Sequence, residues 1–229
     1  MSRENEPAAH TLPGDIERTS MAIITRELAE KGLTPTPGTE AVVRRVIHTT
    51  ADFDYARNLR FTPGAVEKGV AALCAGADIV TDTNMARAGV SKPSLAGLGG
   101  TVHCFMADPA VAEAAKAGGT TRAAASMAHA AVVCPGAVYA VGNAPTALLK
   151  LCELLAAGLR PALIIAVPVG FVNVVESKEK LLAAAERCRV PVIAAMGRKG
   201  GSTVAAAICN ALLYTAVGAL DPAARGWQG

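Results

Sequence analysis

The sequence predicts an α/β fold, a single domain whose mostly parallel sheet is flanked by helices on both faces. Three observations carry that expectation. Short β-branched runs alternate with longer segments of helical spacing. The runs are apolar on both faces, as parallel strands buried between two helical layers are. The helical segments begin and end at Pro, Thr, Ser, Asp and Gly, the residues that cap and stop helices.

The expected strands cover residues 42–47, 78–80, 101–105, 138–141, 163–167 and 192–194. Pro13-Gly14-Asp15 opens the first helix, with Ile16, Ile23, Ile24 and Leu28 on one face and Gly32 as the stop. Thr62 and Pro63 read as an N-cap and first-turn proline of a helix ending at Gly76. Asp108 and Pro109 repeat that signal, with Gly118 and Gly119 closing. Thr121 caps a segment over 122–131, Pro145 opens a helix that Gly158 ends, and Ser177 precedes one running to Arg187. Ser202 begins the last long helix. No internal repeat and no long linker divides the chain. The expected organisation is a flexible lead-in at 1–12, one α/β domain at 13–220 and a tail at 221–229.

Composition narrows the class. At 229 residues, with 52% apolar and 18% charged, the chain has enough apolar area to offset the entropy of ordering. Aromatic residues are only 3%, so Ala, Val, Leu and Ile must build the core. The net charge of +3 suits an anionic ligand without demanding one, and no basic run with interleaved aromatics supports nucleic-acid binding. The six cysteines are scattered with no CxxC, which gives a metal site no local support and suggests reduced thiols in a cytoplasmic protein. The opening MSRENEPAAHTLPG lacks the apolar core of a signal peptide. The uncharged stretch at 202–220 is close to bilayer length, yet it is Ala-rich, carries Asn210 and lacks flanking aromatic belts. A helix buried in the core or in a subunit interface fits it better than a membrane span.

In parallel α/β sheets, ligands bind at the carboxyl ends of the strands. That rule selects His48-Thr49-Thr50, Thr81-Asp82-Thr83, Gly142-Asn143-Ala144, Pro168-Val169-Gly170 and the stretch 197–202. His48 closes the first expected strand. An imidazole there can donate a proton near neutrality, or simply bond a neighbouring loop. Asp52 and Asp54 can orient His48, bind a metal or shape a turn, and the turn role fits their setting best. GRKGGST, from Gly197 to Thr203, leaves a strand and opens a helix, a setting that favours an anion. Lys199 precedes Gly200-Gly201, so this is neither a Walker A loop nor GxGxxG. Arg122 stands in a helix's first turn, where the dipole does not favour a cation, and can serve a ligand carboxylate or face solvent. His103 and His129 read as satisfied core residues. No Ser-His-Asp arrangement and no HExxH occurs.

The segments VIHTTADFDYA, TRAAASM, GNAPTALL, PALIIAVPVGFVN, ESKEKLL and GRKGGSTVAAAICNALL, with their spacing, resemble the precorrin-8X methylmutase family from about residue 13 to 216. The resemblance implies a homodimer that shifts a methyl group from C-11 to C-12 of a corrin precursor, giving hydrogenobyrinate or the cobalt-containing equivalent. It implies no external methyl donor, no cofactor and no resident metal. His48 matches the family's catalytic histidine, whose role is to protonate or hydrogen-bond the macrocycle. Ser20, Thr83, Arg122, Gly197, Lys199 and Ser202 are the expected substrate-binding residues, because the corrin precursor is rich in carboxylates. A corrinoid carrier without catalysis is the rival reading, and a nucleotide-binding enzyme using 197–202 for phosphate a further one. The sequence departs from the family at Ala51, where Gly is expected, at Asn173, where a small residue is common, and at Asn84.

Overall fold

The computed structural model describes residues 10–226. Its strands are β1 (Leu59–Phe61), β2 (Ile79–Thr81), β3 (Val102–His103), β4 (Val138–Val141), β5 (Leu163–Ala166) and β6 (Val192–Ala195). They form one sheet in the order β1-β6-β5-β4-β2-β3, parallel throughout except for the antiparallel edge strand β1. The helices are α1 (Pro13–Glu30), α2 (Glu40–Thr50), α3 (Tyr55–Asn58), α4 (Ala65–Cys74), α5 (Asn84–Gly89), α6 (Lys92–Gly97), α7 (Pro109–Ala117), α8 (Arg122–Val133), α9 (Pro145–Ala156), α10 (Val174–Cys188) and α11 (Ser202–Ala216).

Alternate residues of the central strands enter two separate cores, because successive side chains of a strand point to opposite faces. Val138 and Ala140, Leu163 and Ile165, and Ile193 and Ala195 pack with α1, α2, α4 and α11. Tyr139 and Val141, Ile164 and Ala166, and Val192 and Ala194 pack with α8, α9 and α10. On α9, Leu148, Leu151 and Leu155 follow the helical repeat and are fully buried. Each contributes about 1.5–3 kcal/mol by leaving water. The stretch expected as a buried helix at 202–220 is α11, whose residues from Val204 to Leu213 are mostly buried. Among the described residues, no helix is long and apolar enough to cross a membrane.

One expected strand is a helix. Residues 42–47 lie within α2, and His48 sits in its last turn rather than at a strand end. The β-branched run suggested extended chain, but Val42, Val43, Val46 and Ile47 are the buried residues, a helical spacing that places them on one face. Thr62 does not cap α4. Its hydroxyl accepts the Val192 N–H at 2.8 Å, and the helix starts after Gly64, held at φ 71°. Helix α10 begins at Val174, so Ser177 lies inside it and donates to the Val174 carbonyl at 2.9 Å. The expected strand at 101–105 contracts to Val102–His103. Strand β1 and helices α5 and α6 were not expected from the pattern, being too short to show periodicity.

Pro222–Arg225 form a 3-10 turn beside α1. Residues 1–9 of the expected lead-in and 227–229 of the expected tail lie outside the described residues.

Candidate active site

Helix α2 ends at Ala51, which adopts φ 53° and donates its N–H to the Ile47 carbonyl at 2.7 Å. This left-handed position explains why glycine is favoured there. Asn173, at φ 57°, occupies the same conformation ahead of α10. In the last turn of α2, His48 Nδ1 lies 2.8 Å from Ser20 Oγ on α1. The bond fixes the ring plane whichever atom carries the proton. The imidazole borders a cleft of about 620 Å³ whose apolar wall includes Ile16, Ile23, Ile24, Ile47 and Phe53.

Behind His48 lies a buried charge cluster. Glu17, 5% exposed, accepts hydrogen bonds from Arg45 Nη2 and Arg225 Nη2, each at 2.6 Å. Both guanidinium groups also lie over the Tyr214 ring, at 5.2 and 4.2 Å from its centre. Burial raises the Glu17 carboxyl, but the two guanidinium hydrogen bonds and charges outweigh it and hold the group below its ordinary value. Burial, and then the Arg45 charge, push the His48 imidazole below its ordinary value, with the Glu17 carboxylate opposing. The resting imidazole is therefore biased toward the neutral form.

The loops leaving the strands converge beside this helix end. Asp82, buried after β2, accepts N–H groups from Gly142, Asn143 and Ala144 at 2.7–2.8 Å and so shapes the loop after β4. Burial raises its carboxyl, and those three N–H bonds oppose the rise. The loop from Gly197 to Gly201 crosses the sheet top. Gly201 N–H donates to the Val167 carbonyl at 2.9 Å, and Thr83 Oγ1 lies 2.8 Å from Ser202 Oγ. A side chain on Gly200 would come within 2.1 Å of the Val167 carbonyl oxygen, and one on Gly142 within 2.8 Å of Ser202 Cα. Glycine is needed at both for the loops to touch. From below, the fully buried Lys178 of α10 donates to the Gly197 and Lys199 carbonyls at 2.8 and 2.9 Å. Burial pushes its ammonium down to about 8.

Lys199 joins the two halves of the site. Its ammonium donates to Asp52 Oδ2 and Asp54 Oδ2, both at 2.6 Å, and these hydrogen bonds raise its pKa. The chain following α2 is thereby pinned to the loop following β6. Asp52 also accepts the Asp54 N–H at 3.0 Å, so the pair shapes a turn and binds Lys199 at once.

Of the expected site residues, Ser20 and His48 meet in the cleft, and Thr83 and Ser202 meet at the strand ends. Thr83 also caps α5 through the Ala86 N–H. Gly197 and Lys199 sit in the loop held by Lys178, and the Lys199 ammonium is already occupied by two carboxylates. Arg122 is exposed at the first position of α8. The neighbouring Thr121 lies 2.8 Å from Thr146 of α9, which places Arg122 beside the loop after β4. Asp82 was picked out from sequence only as part of its loop, and Glu17 and Lys178 not at all. The last had a visible signal, since it lies on the α10 stripe of Val174, Leu181 and Ala185.

A family model described as CbiC, precorrin-8X methylmutase, matches residues 15–215. The chain belongs to the precorrin-8X methylmutase family. The cobalt-precorrin-8 methylmutase of Salmonella typhimurium is 44% identical over 206 residues, covering 88% of this chain and 95% of that protein. The precorrin-8X methylmutase of Pseudomonas aeruginosa is 43% identical over 199 residues, covering 86% and 93%. A crystal structure of the precorrin-8X methylmutase of Thermus thermophilus superposes with a TM-score of 0.77 at 41% identity, covering 88% of this chain and 96% of that one. The methylmutase family is one of isomerases, so catalysis stands ahead of the carrier and nucleotide-binding readings.

Proposed function

We propose that this methylmutase moves a ring methyl group from C-11 to C-12 of precorrin-8X, or of its cobalt-containing equivalent, with His48 as the acid that polarises the macrocycle. The observation that carries the reading is His48 itself, fixed by Ser20 and presented on the apolar wall of a cleft. An intramolecular methyl shift needs a positioned ring and one acid, and orientation alone can supply much of the rate. The apolar wall suits the macrocycle. Arg122, the loop bearing Gly197 and Lys199, and the hydroxyls of Thr83 and Ser202 do not line that cleft, and the reading assigns them to the macrocycle's peripheral carboxylates. Bound carboxylates also add negative charge near the imidazole, which favours its protonated form once substrate is in place.

The same reading has the enzyme act as a cytoplasmic homodimer without nucleic-acid partners. Six free cysteines suit a reducing compartment. Exposed apolar Phe171, Val172 and Val169, on the loop after β5, suit a subunit contact beside the site.

The test is anaerobic incubation of the purified protein with precorrin-8X, following the visible spectrum. Many turnovers to the hydrogenobyrinate spectrum, lost in a folded His48→Ala variant, are expected. A spectral change limited to one equivalent would indicate a carrier, and a fully active His48→Ala enzyme would remove the acid role.

A further inference from the structure

The end of the sheet opposite the catalytic cleft holds a second group of chemically capable residues. Asp78 precedes β2, His103 ends β3 and Cys134 caps the carboxyl end of α8. The pairing register explains why they meet. In the parallel ladder Val80 is opposite His103, and Asp78 lies two residues before Val80, so both side chains point to the sheet face that α8 covers. Cys134 closes α8 above them.

One ligand atom from each, a carboxylate oxygen of Asp78, a ring nitrogen of His103 and Cys134 Sγ, all lie within 4.8 Å of one another. Nε2 and Oδ2 are 3.3 Å apart, about the edge expected between nitrogen and oxygen ligands of one tetrahedral zinc ion. A turn of the thiol about Cα–Cβ supplies the remaining movement of roughly 1 Å. The surroundings hold each ligand in place. Asp78 Oδ1 accepts the Thr101 N–H at 2.8 Å, which leaves Oδ2 turned toward the histidine. Phe105 stacks on the His103 ring at 5.7 Å and 4°. The Cys134 carbonyl receives the Tyr139 hydroxyl at 3.1 Å and the Ala137 N–H at 3.1 Å, so its backbone cannot swing away. Among the described residues, Cys134 Sγ makes no hydrogen bond. A cavity of about 390 Å³ bordered by Gly76, Asp78, Cys134 and Gly136 opens onto the group and gives water a route to a fourth position.

We propose that Asp78, His103 and Cys134 bind a divalent metal of the zinc class, completed by one water and independent of the methylmutase reaction. One sulfur, one nitrogen and one oxygen ligand form a mixed set that suits zinc over calcium or magnesium. On binding, the Cys134 thiol loses its proton to solvent as the sulfur–metal bond forms. His103 binds through the Nε2 lone pair with its proton on Nδ1, and the Asp78 carboxylate binds without proton exchange. Carboxylate and thiolate together neutralise the dication. The ion would tie together β2, β3 and the junction of α8 with β4, adding to the side-chain bonds that Asp78 and Tyr139 already make there.

The test uses cobalt(II) as the spectroscopic probe for zinc on the reduced, chelator-treated full chain. A thiolate-to-cobalt charge-transfer band saturating at one equivalent and displaced by zinc is expected. Cys134→Ser should abolish the band, His103→Gln should weaken binding by at least about 10-fold, and Cys74→Ala should leave it intact. Zinc should raise the melting temperature of the wild type and not of Cys134→Ser. If Cys134→Ser does not fold, His103→Gln with the same titration decides. Absence of the band in wild type, or an unchanged band in Cys134→Ser or His103→Gln, would overturn the proposal.

Discussion

Replacing Glu17 with Gln keeps the shape of the side chain and removes its charge, and the consequences reach the His48 imidazole. The carboxylate is 5% exposed and accepts from two guanidinium groups at 2.6 Å. Removing one partner of a buried ion pair costs about 3–5 kcal/mol. The Gln amide oxygen can still accept from one arginine, so the lower end, about 3 kcal/mol, applies. For a domain of this size that is a fall in melting temperature of about 6–12 °C. The Glu17 pKa is depressed in the fold, so its stabilisation is present above the unfolded carboxylate pKa. It is lost as pH falls through the lower folded value. The Gln variant should therefore lose most stability at neutral pH and show a shallower acid transition. At His48, the carboxylate opposes the effect of burial and Arg45. Its removal drives the imidazole pKa further down, and turnover that requires the protonated ring should fail at lower pH than in wild type. Thermal melts at neutral and acid pH, with a pH–rate profile, read both effects. An unchanged melting temperature, or a rate limb displaced to higher pH, would refute the reasoning.

Three further substitutions probe the strand-end loops and the imidazole. Gly200→Ala places a methyl 2.1 Å from the Val167 carbonyl oxygen, and should lower stability by about 1–3 kcal/mol in denaturant titration while nearly abolishing turnover. Asp82→Asn turns an amide NH2 toward backbone N–H groups and leaves at least one unsatisfied, a loss of about 1.5–3 kcal/mol in the same titration. A wild-type-like midpoint would show that the loop after β4 does not depend on that carboxylate. Ser20→Ala frees the His48 ring and should reduce kcat by up to roughly 100-fold with KM little changed, a split that steady-state kinetics resolves.

Much of the architecture was legible in the sequence, and the failures have physical causes. Strands β2, β4, β5 and β6 announced themselves because a buried parallel strand is a short apolar run between turn residues. The caps at Asp108 and Thr121 are used as expected, through the Ala110 and Ala124 N–H groups. Helix α2 was misread because Val42, Val43, Val46 and Ile47 are β-branched, and propensity masked a helical spacing that burial against α11 decides. His48 was found for its chemistry and its resemblance, while its expected place at a strand end was wrong. Lys199 ties Asp52 and Asp54, in the chain that follows α2, to the loop after β6. Glu17 and Arg225 are 208 positions apart, and no local pattern signals such a pairing. Asp78, His103 and Cys134 are likewise dispersed, so only the sheet register brings them together.

The sheet that divides the core has a consequence for how this enzyme tolerates change. Side chains from neighbouring strand positions answer to different helices, so the layer of α8, α9 and α10 and the layer carrying α2 and His48 are insulated from each other by a wall of backbone. Substitutions on opposite layers should combine additively, as distant sites without shared partners do. Lineages can then remodel the far layer, with its exposed Val132 and Val133, without retuning the imidazole. That independence ends at the rim, where Lys178 reaches from the far layer to the carbonyls of Gly197 and Lys199. There, one lysine couples the two layers, and substitutions around it should not combine additively.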